Sequence, residues 1–209
     1  MNMLTNISWI FFDIGSTLVD ESKVYERRIC EAIEGSGVTY AQFCDVMIGF
    51  YKQNKKGDLE AIKLFGLKKT RWHSEDEMVY PQAKDCLTRL REKYKIGIIA
   101  NQPMGTARRM KSMGLIDYID LVISSDEEKM EKPDLSIFRL ALERAGCSAD
   151  NAVMVGDRLD NDIAPAKRMG LKTIWLKQGF GGLSTPMSEG EIPDFIANDL
   201  DEVRGLFVL

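Results

Sequence analysis

Short β-branched runs alternate with helical patterns along most of this 209-residue chain, and that alternation leaves few architectures open. The runs span residues 7–12, 96–100, 120–124, 152–155 and 173–176. Their length and β-branched content favour strands over pieces of buried helix. Helical spacing marks residues 81–94, 104–113, 134–145 and 160–169. Pro81 suits the first turn of a helix, and Gly114, Gly146 and Gly170 suit helix ends. Strand and helix in alternation predict parallel strands with right-handed crossovers, covered on both faces. The expected fold class is therefore α/β, a doubly wound Rossmann-like sheet. From Ile192 onward the pattern predicts a short sixth strand turning into a closing helix. With 44% hydrophobic residues the chain can fill such a core.

Residues 21–79 interrupt the alternation and contain no convincing strand. Helical patterns cover 21–33, 40–53 and 59–65, separated by Gly35-Ser36-Gly37 and Lys55-Lys56-Gly57-Asp58. The expected organisation is a core of residues 1–20 and 80–209 with a small helical insertion at 21–79. Lys52, Lys55 and Lys56 read as a solvated face before they read as anion contacts. Gly179-Phe180-Gly181-Gly182 follows a strand but lacks GxxxxGK[ST], so it reads as an ordinary loop.

Several function classes drop out. A net charge of −4 argues against a dedicated nucleic-acid binder. No apolar run approaches the roughly 18 residues of a membrane span, and residues 7–12 are too short for a signal peptide and end beside Asp13. Cys30, Cys44, Cys86 and Cys147 are scattered, as expected of reduced thiols in a cytoplasmic protein. His73 is the only histidine, which argues against a Ser-His-Asp triad and excludes a multi-histidine zinc site.

What remains is a set of carboxylates. Asp13, the pair Ala100-Asn101, and Asp157 each follow an expected strand, with Asp160 and Asp162 close behind. In an open parallel sheet, ligands sit beyond the carboxyl ends of the strands at the switch point. Asp13, Asp157 and Asp162 offer the hard oxygens that magnesium prefers. A carboxylate can also attack phosphorus and form an aspartyl-phosphate that water then opens. Lys132, just before an expected helix, can clamp the same anion.

In this order the motifs resemble those of the haloacid dehalogenase superfamily over essentially the whole chain. That family's first motif, DxDGT, aligns with Asp13-Ile14-Gly15-Ser16-Thr17, and its strand-ending Ser or Thr with Ala100. Its lysine aligns with Lys132, and its acid pair GDxxxxD with Gly156-Asp157 through Asp162. The helical insertion resembles the family's small C1-type cap. The resemblance implies that Asp13 is the nucleophile and a magnesium ligand. The Gly15 carbonyl and Asp157 complete the ligands, with Asp162 behind them or, as the weaker choice, Asp160. Lys132 and the region of Ala100 and Asn101 would bind the phosphoryl group.

Two positions depart from the pattern. Gly15 replaces the acid that protonates the leaving group and activates water, a function typically worth about 10²–10⁴ in rate. Ala100 replaces a hydroxyl donor, a loss of roughly 3 kcal/mol of transition-state stabilisation. Ser16 is too weakly acidic to stand in for residue 15, and Asp20 and Glu21 read as helix-capping residues. The expected activity is a magnesium-dependent phosphohydrolase on a small phosphorylated metabolite, restricted to good leaving groups and working as a monomer or homodimer. The alternatives are an impaired phosphate-binding or regulatory protein, and a phosphonatase-type hydrolase with a Schiff-base lysine among Lys23, Lys52, Lys55 and Lys56. Retention of Asp157 and Asp162 argues against a metal-free dehalogenase.

Overall fold

The first apolar run, Trp9–Phe12 (β1), lies inside a six-stranded sheet, and its last three residues are fully buried. That double-sided burial is why the run is continuously apolar. The computed structural model describes residues 4–208. After β1 the chain forms β2 (Val19–Asp20), then α1 (Ser22–Ile33), α2 (Tyr40–Tyr51) and α3 (Gly57–Leu64), and returns through β3 (Met78–Val79). Next come α4 (Ala83–Arg91), β4 (Lys95–Ala100), α5 (Thr106–Ser112), β5 (Leu121–Ser124), α6 (Ser125–Glu128) and α7 (Leu135–Ala145). The chain then forms β6 (Ala152–Gly156), α8 (Ala164–Arg168), β7 (Lys172–Leu176), β8 (Phe195–Ala197) and α9 (Leu200–Gly205).

The strand order is β5-β4-β1-β6-β7-β8, and every pairing is parallel. From β1 the chain works outward through β4 and β5, then comes back to β6 and works outward the other way. The switch point therefore falls beside β1 and β6. Period-two alternation divides the core between the two faces. Ile10, Phe12, Ile98 and Val155 pack with Leu87 and Leu90 of α4 and Val203 of α9. Phe11, Ile99 and Met154 pack with Ile137, Phe138 and Ala141 of α7. The expected doubly wound α/β sheet, including its sixth strand and closing helix, is what forms.

Helices α1 to α3 carry a separate apolar cluster of Ile29, Phe43, Met47, Tyr51 and Ala61. Thr39 and Gln42 form a reciprocal capping box that fixes the start of α2. Three expectations need correction. Residues 21–79 do contain a strand: β3 pairs antiparallel with β2, two residues each, too short to register as a periodic pattern. Pro81 does not open α4, which begins at Ala83 after a turn closed by the Ala83 amide on the Tyr80 carbonyl, 3.0 Å. Residues 160–169 are not one α-helix, because a wide π-type turn, Leu159–Ile163, precedes α8. No helix among the described residues is long and apolar enough to cross a membrane. The four cysteines are free thiols.

Candidate functional site

The Asp13 amide continues the β1–β6 ladder one residue past the strand, donating to the Val155 carbonyl at 2.9 Å. This sets Asp13 beside Asp157, which follows β6, at the switch point. Beyond Asp13 the chain turns tightly, with the Ile14 carbonyl accepting from the amides of Leu18 and Val19, each at 2.9 Å. Ser16 sits in the left-handed region at φ 53°.

Lys132 arrives from the far side of the sheet. Its amide donates to the Asn101 carboxamide oxygen, and its carbonyl accepts from the Asn101 Nδ2, both at 2.8 Å. From that anchor its ammonium reaches Asp13 Oδ1 at 2.7 Å and Asp162 Oδ1 at 2.6 Å. Asp162 is fully buried, and its second oxygen accepts from the Arg158 amide at 3.0 Å. One oxygen each from Asp13, Asp157 and Asp162 lies within 4.8 Å of the others, close enough to share a cation.

The electrostatics point the same way. Burial, followed by the nearby charges of Asp162 and Asp13, pushes Asp157 well above the usual carboxylate range. Burial also lifts Asp162, with Lys132 opposing and Asp13 adding to the rise. Burial works against the Lys132 ammonium, but Asp13 and Asp162 outweigh it and hold the group above its ordinary value. Three acids thus share one lysine, and the protein alone leaves them short of positive charge. A hard divalent cation fits that donor set.

Two glycines keep the cluster tight. A Cβ on Gly156 would lie 2.4 Å from Asp162 Oδ2, and one on Gly181 would lie 2.2 Å from Asp157 Oδ2. The loop of Gly179 to Gly182 is therefore part of the site, correcting its reading as an ordinary loop. A Cβ on Gly179, at φ 55°, would lie 2.4 Å from Ser16 Oγ. Phe180 reaches the inserted helices, stacking on Tyr51 at 5.4 Å and meeting Tyr25 edge-on at 5.0 Å. The signal was present in the glycine spacing, but no phosphate-loop pattern describes a loop that packs against a carboxylate.

A cavity of about 970 Å³ opens over the cluster. Asp13, Lys132 and Asp157 line one side, and Arg28, Tyr51 and Trp72 line the other. Arg28 pairs with Asp58 at 3.0 Å and lies over the Trp72 ring at 5.1 Å. Asp58 also accepts from the Tyr51 hydroxyl at 3.2 Å. Arg28 and Asp58 are 30 residues apart in sequence, so only the fold brings them together.

The remaining sequence candidates divide. Ala100 is fully buried in the core and does not line the cavity. Asn101 lines it, but its carboxamide is committed to Lys132. The next amide, Gln102, donates to Ser125 Oγ at 3.0 Å. Asp160 pairs with Arg158 at 2.5 Å instead of joining the carboxylate cluster. Of Lys23, Lys52, Lys55 and Lys56, only Lys56 lines the cavity. His73 is buried between Glu31 and Glu75, at 2.8 and 3.2 Å.

Asp20 and Glu21 separate as well. Asp20 accepts from the Ser22 amide at 2.8 Å, the local role expected of it. Glu21 precedes α1 but makes no side-chain cap. Its carboxyl turns toward Gly15 and accepts from Ser16 Oγ at 3.2 Å. Burial of that carboxyl, then the charges of Asp13 and Glu77, pushes its pKa up to about 8 against the opposing effects of Ser16 and Arg109.

Comparison with known proteins agrees with this geometry. A family model described as haloacid dehalogenase-like hydrolase matches residues 7–170. A glyceraldehyde 3-phosphate phosphatase of Pyrococcus abyssi is 32% identical over 197 residues, covering 83% of this chain and 82% of that protein. A ribulose-1,5-bisphosphate 5-phosphatase of Halopiger xanaduensis is 40% identical over 102 residues, covering 48% of this chain and 43% of that protein. Among solved structures, a HAD phosphatase from Thermococcus onnurineus superposes with a TM-score of 0.67 at 26% identity, over 96% of this chain and 97% of that one.

Proposed function

The chain belongs to the haloacid dehalogenase-like hydrolases, and on that premise we propose that it is a magnesium-dependent phosphohydrolase acting on a small phosphorylated metabolite through an aspartyl-phosphate on Asp13. The observation that carries this reading is the buried carboxylate cluster with its single lysine at the switch point. Asp13, Asp157 and the Gly15 carbonyl would hold the metal, with Asp162 supporting them. When bound, magnesium neutralises and orients the phosphoryl group. Asp13 supplies the attacking oxygen. Lys132 holds that carboxylate in place and offers positive charge to the oxygens of the transferring group. Asn101 acts by fixing the Lys132 backbone.

Residues 21–79 would form the cap, closing over a core of 1–20 and 80–209. The cavity volume suits a small ligand, and the names of the relatives favour sugar phosphates as the first compounds to try. A reducing cytoplasm suits the free thiols, and a monomer or homodimer would suffice, since one chain contains every group the mechanism uses. The competing reading, a phosphate-binding protein with little turnover, draws on Gly15 and on the buried methyl of Ala100.

Turnover separates the two. The natural chain and Asp13→Asn would be assayed with magnesium on acetyl phosphate, p-nitrophenyl phosphate and glyceraldehyde 3-phosphate. Phosphate release that Asp13→Asn abolishes is the expected result. Phosphate binding without release from any ester would favour the binding protein. Release that survives Asp13→Asn would remove Asp13 from the mechanism.

A further inference from the structure

Gly15 has no side chain, yet the space above it is filled. A Cβ built on Gly15 would lie 2.4 Å from Glu21 Oε1, 2.8 Å from its carboxyl carbon and 2.9 Å from Oε2. The Glu21 carboxyl therefore stands where a side chain at position 15 would begin. Ser16 Oγ donates to it at 3.2 Å and fixes its direction. Helix capping does not explain this placement, because Glu21 stands at the N-cap of α1 and makes no capping bond. Glu21 lines the same cavity as Asp13. The charges of Asp13, Glu77, Arg109 and Asp157 act on it.

We propose that Glu21 is a catalytic residue, supplying from the start of α1 the acid–base group that Gly15 lacks. The proposal rests on the phosphohydrolase reading above. In the first half-reaction Asp13 bonds to phosphorus and the ester P–O bond breaks. Its electron pair stays on the leaving oxygen, which takes the Glu21 proton and departs as an alcohol. In the second half-reaction water attacks the phosphorus of the aspartyl-phosphate. Its proton passes to the Glu21 carboxylate, the bond to Asp13 breaks, and inorganic phosphate leaves. Glu21 ends protonated, ready for the next ester. On this assignment the restriction to good leaving groups, expected from Gly15 alone, does not apply.

The test uses Glu21→Gln, which keeps size and hydrogen bonding but cannot exchange the proton. With magnesium, kcat/KM on glycerol 3-phosphate, an alkyl ester, should fall about 10²–10⁴-fold. With acetyl phosphate the first half-reaction should persist while the second slows, so a phosphoryl group accumulates on Asp13 and is seen by mass spectrometry after acid quench. Gly15→Asp combined with Glu21→Ala, which vacates the space above residue 15, should return part of the alkyl-ester rate lost in Glu21→Ala and leave no adduct. A structural role would lower all substrates by one factor and leave no adduct, and that pattern overturns the proposal. So does an alkyl-ester rate unchanged in Glu21→Gln while Asp13→Asn is dead, a result that leaves the phosphohydrolase reading intact. Absence of turnover by the natural chain on every ester overturns both.

Discussion

Gly15→Ala is the sharpest probe of how Glu21 sits in the folded protein. Gly15 does not occupy the left-handed region, so its backbone suits an L residue. With free space above it, alanine should stabilise by about 0.4–1 kcal/mol through the unfolded chain. The space is not free, since the new methyl would lie 2.4 Å from Glu21 Oε1. The clashing atoms are the far end of a flexible side chain, so moving them costs about 1 kcal/mol, the low end of overpacking. In the natural background the two effects oppose and nearly cancel. In a Glu21→Ala background the clash is gone, and the same substitution should stabilise. The coupling between positions 15 and 21 is thus about 1 kcal/mol, beyond the roughly 0.3–0.5 kcal/mol within which independent sites add. Urea unfolding of the four proteins without magnesium, followed by circular dichroism, measures it. Additivity within that scatter would mean that the Glu21 carboxyl does not rest on Gly15.

Other perturbations read other parts of the site. Lys132→Met leaves Asp13 and Asp162 without their buried cation; it should destabilise the magnesium-free protein by about 3 kcal/mol while tightening magnesium binding, measured by urea unfolding and calorimetric titration. Gly181→Ala drives a methyl into Asp157 Oδ2 and should weaken magnesium binding by tenfold or more, about 1.4 kcal/mol; unchanged affinity would show that Asp157 is not needed as a ligand. Arg28→Met strands the buried Asp58 with only Tyr51 as partner and should cost about 3–5 kcal/mol, most of it recovered when Asp58→Asn is added. Burial pushes the Cys86 thiol up to about 12, so its reactive thiolate is scarce at neutral pH; a thiol reagent should label exposed Cys30 in the folded protein and Cys86 only in urea, as mass spectrometry of the peptides would reveal.

The parts of this molecule that were legible in its sequence are those where one residue answers to one local constraint. A strand buried on both faces must be apolar throughout, so 7–12 and 152–155 announce themselves. Asp13 and Asp157 were legible for the same reason, each standing alone at the end of such a run. The two-residue ribbon of β2 and β3 could not be seen, because two residues carry no period. The wide turn at Leu159–Ile163 was hidden because its residues also suit an α-helix. Glu21 failed differently. A carboxylate just before a helix is an ordinary cap, and nothing local to residues 20–22 says otherwise. Its inward turn is set by the space left at Gly15 and by the Ser16 hydroxyl. The glycine loop is a similar case, since Gly181 is required by a carboxylate at position 157 and Phe180 by aromatic rings at 25 and 51. An absent side chain in a motif is therefore a statement about volume as well as about chemistry. The loss at position 15 acquires its functional meaning only from the carboxyl that fills the space.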